Sequence, residues 1–119
     1  TFSYVDTSDI ELVRKSIRKE TKALYIETPS NPTMKVTDFA AMRKIADEYG
    51  LLIIADNTFL TPYFQKPLTL GADLVVHSGT KFLGGHNDVL AGFVCIKGKG
   101  ISEHESTKEK HAGLSADLD

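Results

Sequence analysis

The stretch GADLVVHSGTKFLGG, residues 71–85, decides the fold class of this chain, because it joins an apolar run to a polar turn rich in small residues. The run DLVVH (73–77) predicts a strand that is buried on both faces, as strands of parallel sheets are. Two hydroxyls, a glycine and one cation, Lys81, follow it, and two more glycines come soon after. Because ligands of open parallel sheets bind at the carboxyl ends of the strands, this turn is a candidate binding site.

Four further strands are predicted on either side of this stretch. LLIIAD, a continuous apolar run, is a second strand of the doubly buried type. The others are shorter or alternate between apolar and polar residues, which is typical of strands. These four strands cover residues 2–5, 22–27, 51–56 and 91–97.

Two helices are predicted from apolar residues at helical spacing. The first lies within residues 6–20 and takes Thr7 or Ser8 as its N-cap, since hydroxyl side chains accept from free backbone N–H groups at a helix start. The second and clearer helix covers residues 37–50, with Thr37 as its N-cap.

The order of strands and helices predicts an α/β fold, with a mainly parallel sheet flanked by helices. Residues 57–72 are long enough for a parallel crossover, and one helical turn is expected near Lys66–Leu70. Residues 98–119 are charged and nearly devoid of large apolar side chains. We expect this terminal segment to be a solvated helix or disordered.

Composition narrows the function classes. Lys and Arg total 14 against 16 Asp and Glu, a net charge of -2, so no nucleic-acid partner is expected. The single cysteine, Cys95, excludes a disulfide framework and is expected as a small apolar residue in a strand. No apolar run is long enough to span a membrane, and the cytoplasm is the expected location. Since TFSYVD reads as a strand already in progress, we expect a piece of a longer chain.

Polar side chains follow three of the predicted strands at the point where each strand ends. Asp56 ends LLIIAD, and Asn31 follows KALYIE. Ser78, Thr80 and Lys81 follow DLVVH. Because parallel strands end at the same edge of a sheet, we expect these side chains to gather there.

Two kinds of site are weakly supported. A metal site built from His77, His86, Asp56 and Asp88 matches no zinc spacing, and Lys81 between the histidines would repel a cation, so no metal is expected. A nucleotide phosphate site is also disfavoured, because no Gly lies five residues before a Gly-Lys pair, as a P-loop requires.

A phosphate-bearing aromatic cofactor accounts for all these groups together. Ser78 and Thr80 could bind its phosphate, and Lys81 could react with an aldehyde. Asp56 could meet a ring nitrogen and keep it protonated, which makes the ring an electron sink. This gives a reason for a charge at the end of an apolar strand, although Asp56 taken alone could equally be the cap of a turn.

Three motifs carry a resemblance to a known family. ETPSNP (27–32), ADNTF (55–59) and HSGTKFLGGH (77–86) occur in this order. The chain closely resembles, over about residues 2–97, the Cys/Met-metabolism family of pyridoxal-phosphate enzymes. That family includes cystathionine γ-synthase, cystathionine β- and γ-lyases, methionine γ-lyase and O-acylhomoserine sulfhydrylases.

The resemblance implies that pyridoxal phosphate is the cofactor and that residues 1–97 are part of the large domain of fold-type I enzymes. Lys81 looks like the catalytic lysine that binds the cofactor covalently. Asp56 looks like the partner of the pyridine nitrogen. Ser78 and Thr80 look like phosphate ligands.

Two further positions take roles from the resemblance. Thr58 should lie against one face of the cofactor ring. Asn31 should lie near the phenolic oxygen of the cofactor and the carboxylate of the substrate. Gly84 and Gly85 fit a close backbone turn after the lysine.

The activity implied is elimination or replacement at a C–S or C–O bond of a sulfur amino acid or activated homoserine, in a homodimer or homotetramer. Two alternatives remain open: another fold-type I enzyme, such as an aminotransferase, and a catalytically silent fragment. The silent fragment is expected for the isolated chain, because the ring-stacking aromatic and the substrate arginine of the family lie outside it. The residues that separate synthase from lyase also lie outside it.

Overall fold

A computed structural model describes residues 1–97 of the 119-residue chain, so the expectation for residues 98–119 lies outside the described part. Four strands form one sheet: β1 (Ala23–Glu27), β2 (Leu52–Asp56), β3 (Leu74–Ser78) and β4 (Gly92–Ile96). The helices are α1 (Ile10–Ser16), α2 (Phe39–Tyr49) and the short α3 (Thr61–Phe64). A 3₁₀ turn covers Pro67–Thr69, and a wide π-type turn covers Gly79–Leu83.

The sheet has the order β1-β2-β3-β4. β2 pairs in parallel with β1 and β3, while β4 runs antiparallel to β3, so the predicted mainly parallel sheet is confirmed. Glu27 lies opposite Asp56, and Asp56 lies opposite Val76. The carboxyl ends of β1, β2 and β3 therefore meet at one edge.

One layer of the core lies between the sheet and α2. The helix presents apolar residues three or four positions apart, which places them on one face. That face packs on β2 and β3 and on one residue of α1. The buried side chains include Val13, Phe39, Met42, Ile45, Ala46, Ile53, Ala55 and Val75. The other face of the sheet is left for the functional groups.

Burial differs between strands that the sequence predicted to be alike. Three of the five residues of β2 are buried, and they include side chains on both faces of the strand, as expected. In β3 only alternate residues, Val75 and His77, are buried, so the prediction of a doubly buried strand is wrong for the described residues. All five residues of β4 are exposed. Cys95 lies in β4, as expected, and is exposed there.

The predicted strand at residues 2–5 does not form, and α1 starts later than expected. Phe2 and Tyr4 are 83% and 94% exposed, so they have no apolar surface on which a strand could pack. The predicted N-cap at Thr7 or Ser8 is also wrong, because Asp9 caps α1 by accepting from the backbone N–H of Leu12.

The N-cap of α2 is Asp38 and not the predicted Thr37. The Asp38 carboxylate accepts from the second and third N–H groups of the helix, at 2.8 and 3.1 Å. Its charge also suits the positive end of the helix dipole. Thr37 is buried instead, and its backbone N–H donates to the Thr28 hydroxyl at 2.9 Å. Gly50 ends the helix in the left-handed region, as Gly commonly does.

The connection from β2 to β3 is the predicted parallel crossover, and its turn at Pro67–Thr69 is confirmed. The helix α3 was not anticipated. Its organiser is Asn57, which is 1% exposed and donates to the backbone carbonyls of Thr61 and Gln65. In the part of the chain that is described, no helix is long and apolar enough to cross a membrane.

The cap found in the structure, Asp38, can be tested against the predicted cap, Thr37, by mutation. Asp38→Ala removes an acceptor for two backbone N–H groups, so we expect the free energy of unfolding to fall by about 1 kcal/mol. Urea unfolding of the chain measures this change. Lys44→Ala, an exposed change in the same helix, is the control and should be nearly neutral. A stability equal to that of the parent for Asp38→Ala would contradict the assigned cap.

Candidate cofactor site

The carboxyl ends of β1, β2 and β3 border an open cleft of about 580 Å³. This is within the range of about 300 to 1,000 Å³ that small-molecule sites occupy. All six residues predicted for the site line it: Asn31, Asp56, Thr58, Ser78, Thr80 and Lys81. Five residues that were not predicted line it as well: Glu27, Phe59, Phe82, Gly85 and Asn87.

Asp56 is the last residue of β2, and its carboxylate is held by two donors. The backbone N–H of Thr58 donates to Oδ1 at 3.0 Å. The Tyr25 hydroxyl donates to Oδ2 at 3.1 Å. Each oxygen keeps a further lone pair, so the carboxylate can still accept from a ligand in the cleft.

Tyr25 was not among the site residues predicted from the sequence. Burial and the negative charge of Asp56 raise the pKa of its phenol to about 12, so it stays a protonated donor near neutral pH. The alternation of side-chain directions along the strand KALYIE could have predicted this role of Tyr25. Residues two apart in a strand share one face, so Tyr25 lies on the face of Glu27, whose register partner is Asp56.

Ser78 and Thr58 are joined across neighbouring strand ends. The backbone N–H of Ser78 donates to the Thr58 hydroxyl oxygen at 2.8 Å. Thr58 can therefore still donate its own hydroxyl proton. The Ser78 hydroxyl has no hydrogen-bond partner within residues 1–97. Both side chains offer donors to an anionic group in the cleft.

Thr80 has a structural role that the sequence did not reveal. Its hydroxyl accepts from the Ala91 N–H at 3.0 Å and donates to the Ala91 carbonyl at 3.3 Å. Its backbone N–H also donates to that carbonyl, at 3.1 Å. Thr80 thus ties the turn to the residue before β4. To bind a phosphate, its hydroxyl proton must leave the Ala91 carbonyl.

The turn that carries Lys81 depends on close backbone approach. The backbone N–H of Gly84 donates to the Gly79 carbonyl at 2.8 Å, and the backbone N–H of Gly85 donates to the Lys81 carbonyl at 2.9 Å. Gly85 has φ +77°, where a side chain is strained. A Cβ on Gly79 would come within 2.5 Å of the Phe93 ring. The glycines around Lys81 are therefore explained by space and backbone conformation.

Asn31 reaches the cleft from the loop after β1. The peptide bonds before Pro29 and Pro32 are both cis. The loop is held in place by Thr28, which is 3% exposed and accepts from a backbone N–H beside α2. The backbone N–H of Ser30 donates to the Lys35 carbonyl at 3.0 Å.

The groups proposed as metal ligands do not come together. His77 is buried and does not line the cleft, while His86 is exposed and bonded to the Gly84 carbonyl. Among the residues with described positions, no three His, Cys, Asp or Glu side chains form a metal-binding group.

The donor set of the cleft fits pyridoxal phosphate. Asp56 and Lys81 line the cleft, so a carboxylate could accept from a protonated ring nitrogen and an amine could react with an aldehyde there. Ser78, Thr58 and Thr80 supply hydroxyls, which suit a phosphate. All of these groups lie at one edge of the sheet.

This sheet and its cleft suit a pyridoxal-phosphate-dependent enzyme. The family model described as Cys/Met metabolism PLP-dependent enzyme matches residues 1–118, and the chain belongs to that family. It is 58% identical over 101 residues to a cystathionine gamma-lyase of Bacillus subtilis, which covers 85% of this chain and 27% of the relative. It is 52% identical over 103 residues to a cystathionine gamma-synthase/O-acetylhomoserine (thiol)-lyase of the same organism, covering 87% and 28%.

A solved structure shows the same fold. The crystal structure of cystathionine gamma-lyase from Lactobacillus plantarum complexed with L-serine matches with a TM-score of 0.80 and 51% identity. The match covers 84% of this chain and 26% of that one. The chain thus spans about a quarter of the length of these relatives.

The close approach at Gly79 gives a testable prediction. Gly79→Ala places a methyl group 2.5 Å from the Phe93 ring and 3.0 Å from Ala91, so we expect a loss of about 1 to 3 kcal/mol in the free energy of unfolding. Gly92→Ala is the matched control, because its methyl meets only a carbonyl oxygen at 3.9 Å. Urea unfolding compares the two. Equal stability of both variants would show that Phe93 does not confine the turn.

Proposed function

We propose that this chain forms part of the cofactor site of an enzyme that eliminates or replaces a group at a C–S or C–O bond of a sulfur amino acid or activated homoserine. The proposed part of the cofactor-binding domain is residues 1–97. The observation that carries the proposal is the meeting of Lys81 with Asp56 and three hydroxyl side chains at one cleft. The family membership of the chain supports the same cofactor.

Each residue has a definite task in this proposal. When bound, pyridoxal phosphate supplies an electron-poor ring that stabilises negative charge at the α-carbon of an amino acid. Asp56 holds the ring nitrogen protonated. Ser78 and Thr80 bind the phosphate, and Thr58 lies against one ring face. Asn31 orients the phenolic oxygen of the cofactor and the carboxylate of the substrate.

Lys81 is the proposed base. Its amine would hold the cofactor covalently and would be free to act as a base once the amine of the substrate is bound in its place. The free amine then removes the α-proton, because it is held at the cleft by the turn that follows β3. In chemistry at the γ-carbon, the same amine moves a second proton from the β-carbon.

The relatives support a sulfur amino acid or a homoserine derivative as the substrate, but they do not distinguish elimination from replacement. Similarity to both a γ-lyase and a γ-synthase favours sulfur amino acids and homoserine derivatives alike. The L-serine bound by the Lactobacillus plantarum enzyme supports an amino-acid ligand.

We also propose that the enzyme is a cytoplasmic homodimer or homotetramer. Exposed apolar side chains support an assembly that covers them. Phe82 is 61% exposed and Leu90 is 91% exposed. The net charge of -2 favours a small-molecule substrate over nucleic acid or an anionic membrane surface.

Lys81 provides the direct test. The whole enzyme that carries this chain is loaded with pyridoxal phosphate and reduced with borohydride, and the labelled peptide is found by mass. We expect the label on Lys81. Lys81→Ala should abolish turnover and leave the fold intact, since the residue is exposed at the cleft edge. Lys66→Ala, another exposed lysine, is the control and should keep its activity.

The products separate the rival activities. A keto acid with thiol and ammonia indicates a lyase, whereas a transferred amino group indicates an aminotransferase. A label on a lysine other than Lys81, or near-parent turnover of Lys81→Ala, would overturn the proposed mechanism.

The two hydroxyls proposed for the phosphate should behave differently. Ser78→Ala and Thr80→Ala should each weaken cofactor binding by about ten- to a hundredfold, because a charge-assisted hydrogen bond contributes about 1.5 to 3 kcal/mol. Only Thr80→Ala should also lower the free energy of unfolding, by about 1 kcal/mol, since the Ala91 N–H loses its acceptor. Cofactor titration and urea unfolding measure the two effects. Unchanged cofactor affinity in both variants would rule out the phosphate assignment.

A further inference from the structure

We propose that Tyr25 is a positioning residue for Asp56: its hydroxyl fixes the carboxylate in the orientation that receives the ring nitrogen of the cofactor. The inference rests on the proposed function of Asp56 and extends it to the neighbouring strand. It is carried by the 3.1 Å hydrogen bond from the Tyr25 hydroxyl to Asp56 Oδ2.

A second donor is needed because one bond does not fix a carboxylate. The terminal torsion of Asp is broad, so the group can rotate about its last bond. The Thr58 N–H holds only Oδ1. With Tyr25 bonded to Oδ2, both oxygens are held and the plane of the group is defined. Each oxygen accepts more than one hydrogen bond, so the ring nitrogen need not displace Tyr25.

The surroundings explain why the donor is a neutral phenol on β1. Glu27 lies directly opposite Asp56 in the parallel register, and like charges in that arrangement repel. A hydrogen bond to Asp56 offsets this repulsion and restrains the carboxylate. The pKa of Tyr25 is raised to about 12, first by partial burial of the phenol and then by the charges of Asp56 and Glu27, so the phenol keeps its proton.

Packing alone does not account for Tyr25. The residue is 57% exposed, and its hydroxyl bonds to Asp56. Tyr63 is a suitable comparison, because it is 84% exposed and its hydroxyl has no hydrogen-bond partner within the described range. Removing the hydroxyl from each tyrosine separates a positioning effect from a general effect of the substitution.

The first experiment needs neither cofactor nor activity. The ionisation of Tyr25 is followed by NMR of ¹³C-labelled tyrosine in the cofactor-free whole enzyme, with Tyr25→Phe identifying the signal. Circular dichroism checks that the protein is folded at each pH. Removing the Asp56 charge in Asp56→Asn should move the Tyr25 midpoint down from about 12, because the phenolate is no longer repelled. An unmoved midpoint would mean that the two side chains are not in contact, and would overturn the inference.

The second experiment is a double-mutant cycle on cofactor affinity, kcat and KM. Asp56→Asn should lower kcat by about 10²-fold or more. Tyr25→Phe should weaken cofactor binding and lower kcat by about fivefold each, with KM little changed, as expected for one hydrogen bond. In the Asp56→Asn background Tyr25→Phe should have no further effect, because residues that act together are not additive. Tyr63→Phe should match the parent.

The outcomes distinguish this inference from the proposed function. If Tyr25→Phe lowers cofactor affinity and kcat equally in the parent and in Asp56→Asn, or in neither, the proposed role of Tyr25 is overturned. The role of Asp56 is then unaffected. If Asp56→Asn itself keeps near-parent rate and affinity, the assigned role of Asp56 fails, and the inference fails with it.

Discussion

The parallel pairing of β2 with both of its neighbours is the constraint on which the site depends. It brings Glu27 opposite Asp56 and Asp56 opposite Val76, two residues before Ser78. A shift of one residue in either pairing would turn the side chains of that strand to the other face. The buried face of the sheet, packed on α2, prevents such a shift, because it would expose the core. Core packing thus sets the geometry of the cleft.

The antiparallel strand β4 has a different task, which is to hold the turn that carries Lys81. Thr80 is bonded to Ala91, and Phe93 leaves no space for a side chain on Gly79. The lysine therefore projects from a segment that is held by hydrogen bonds to Ala91 and confined by the Phe93 ring. This suits a catalytic amine, since its position relative to the cofactor decides the rate. The same hydroxyl of Thr80 is proposed to bind phosphate, so local stability and cofactor binding are linked there.

Predictions from the sequence were best where hydrophobic pattern and spacing decide the outcome. LLIIAD forms the strand that ends in Asp56, and the stripe of α2 is buried as its period indicates. The predictions were poorer where contacts between residues distant in the sequence decide the role of a side chain. Thr37 is a good cap by type, but its burial beside Thr28 leaves the cap to Asp38. The strand predicted at residues 2–5 does not form because Phe2 and Tyr4 are left exposed, although Val5 packs against the core.

The sequence by itself determined the α/β class, the residues that end β1 and β2, and the resemblance that links the strand-end residues to pyridoxal phosphate, because periodicity and short motifs are local properties. Only the tertiary structure decided how those residues serve one another. The bond from Tyr25 to Asp56 joins side chains of neighbouring strands, and the double use of Thr80 joins the turn to β4. Such contacts depend on register and on side-chain orientation in space, which linear spacing does not specify.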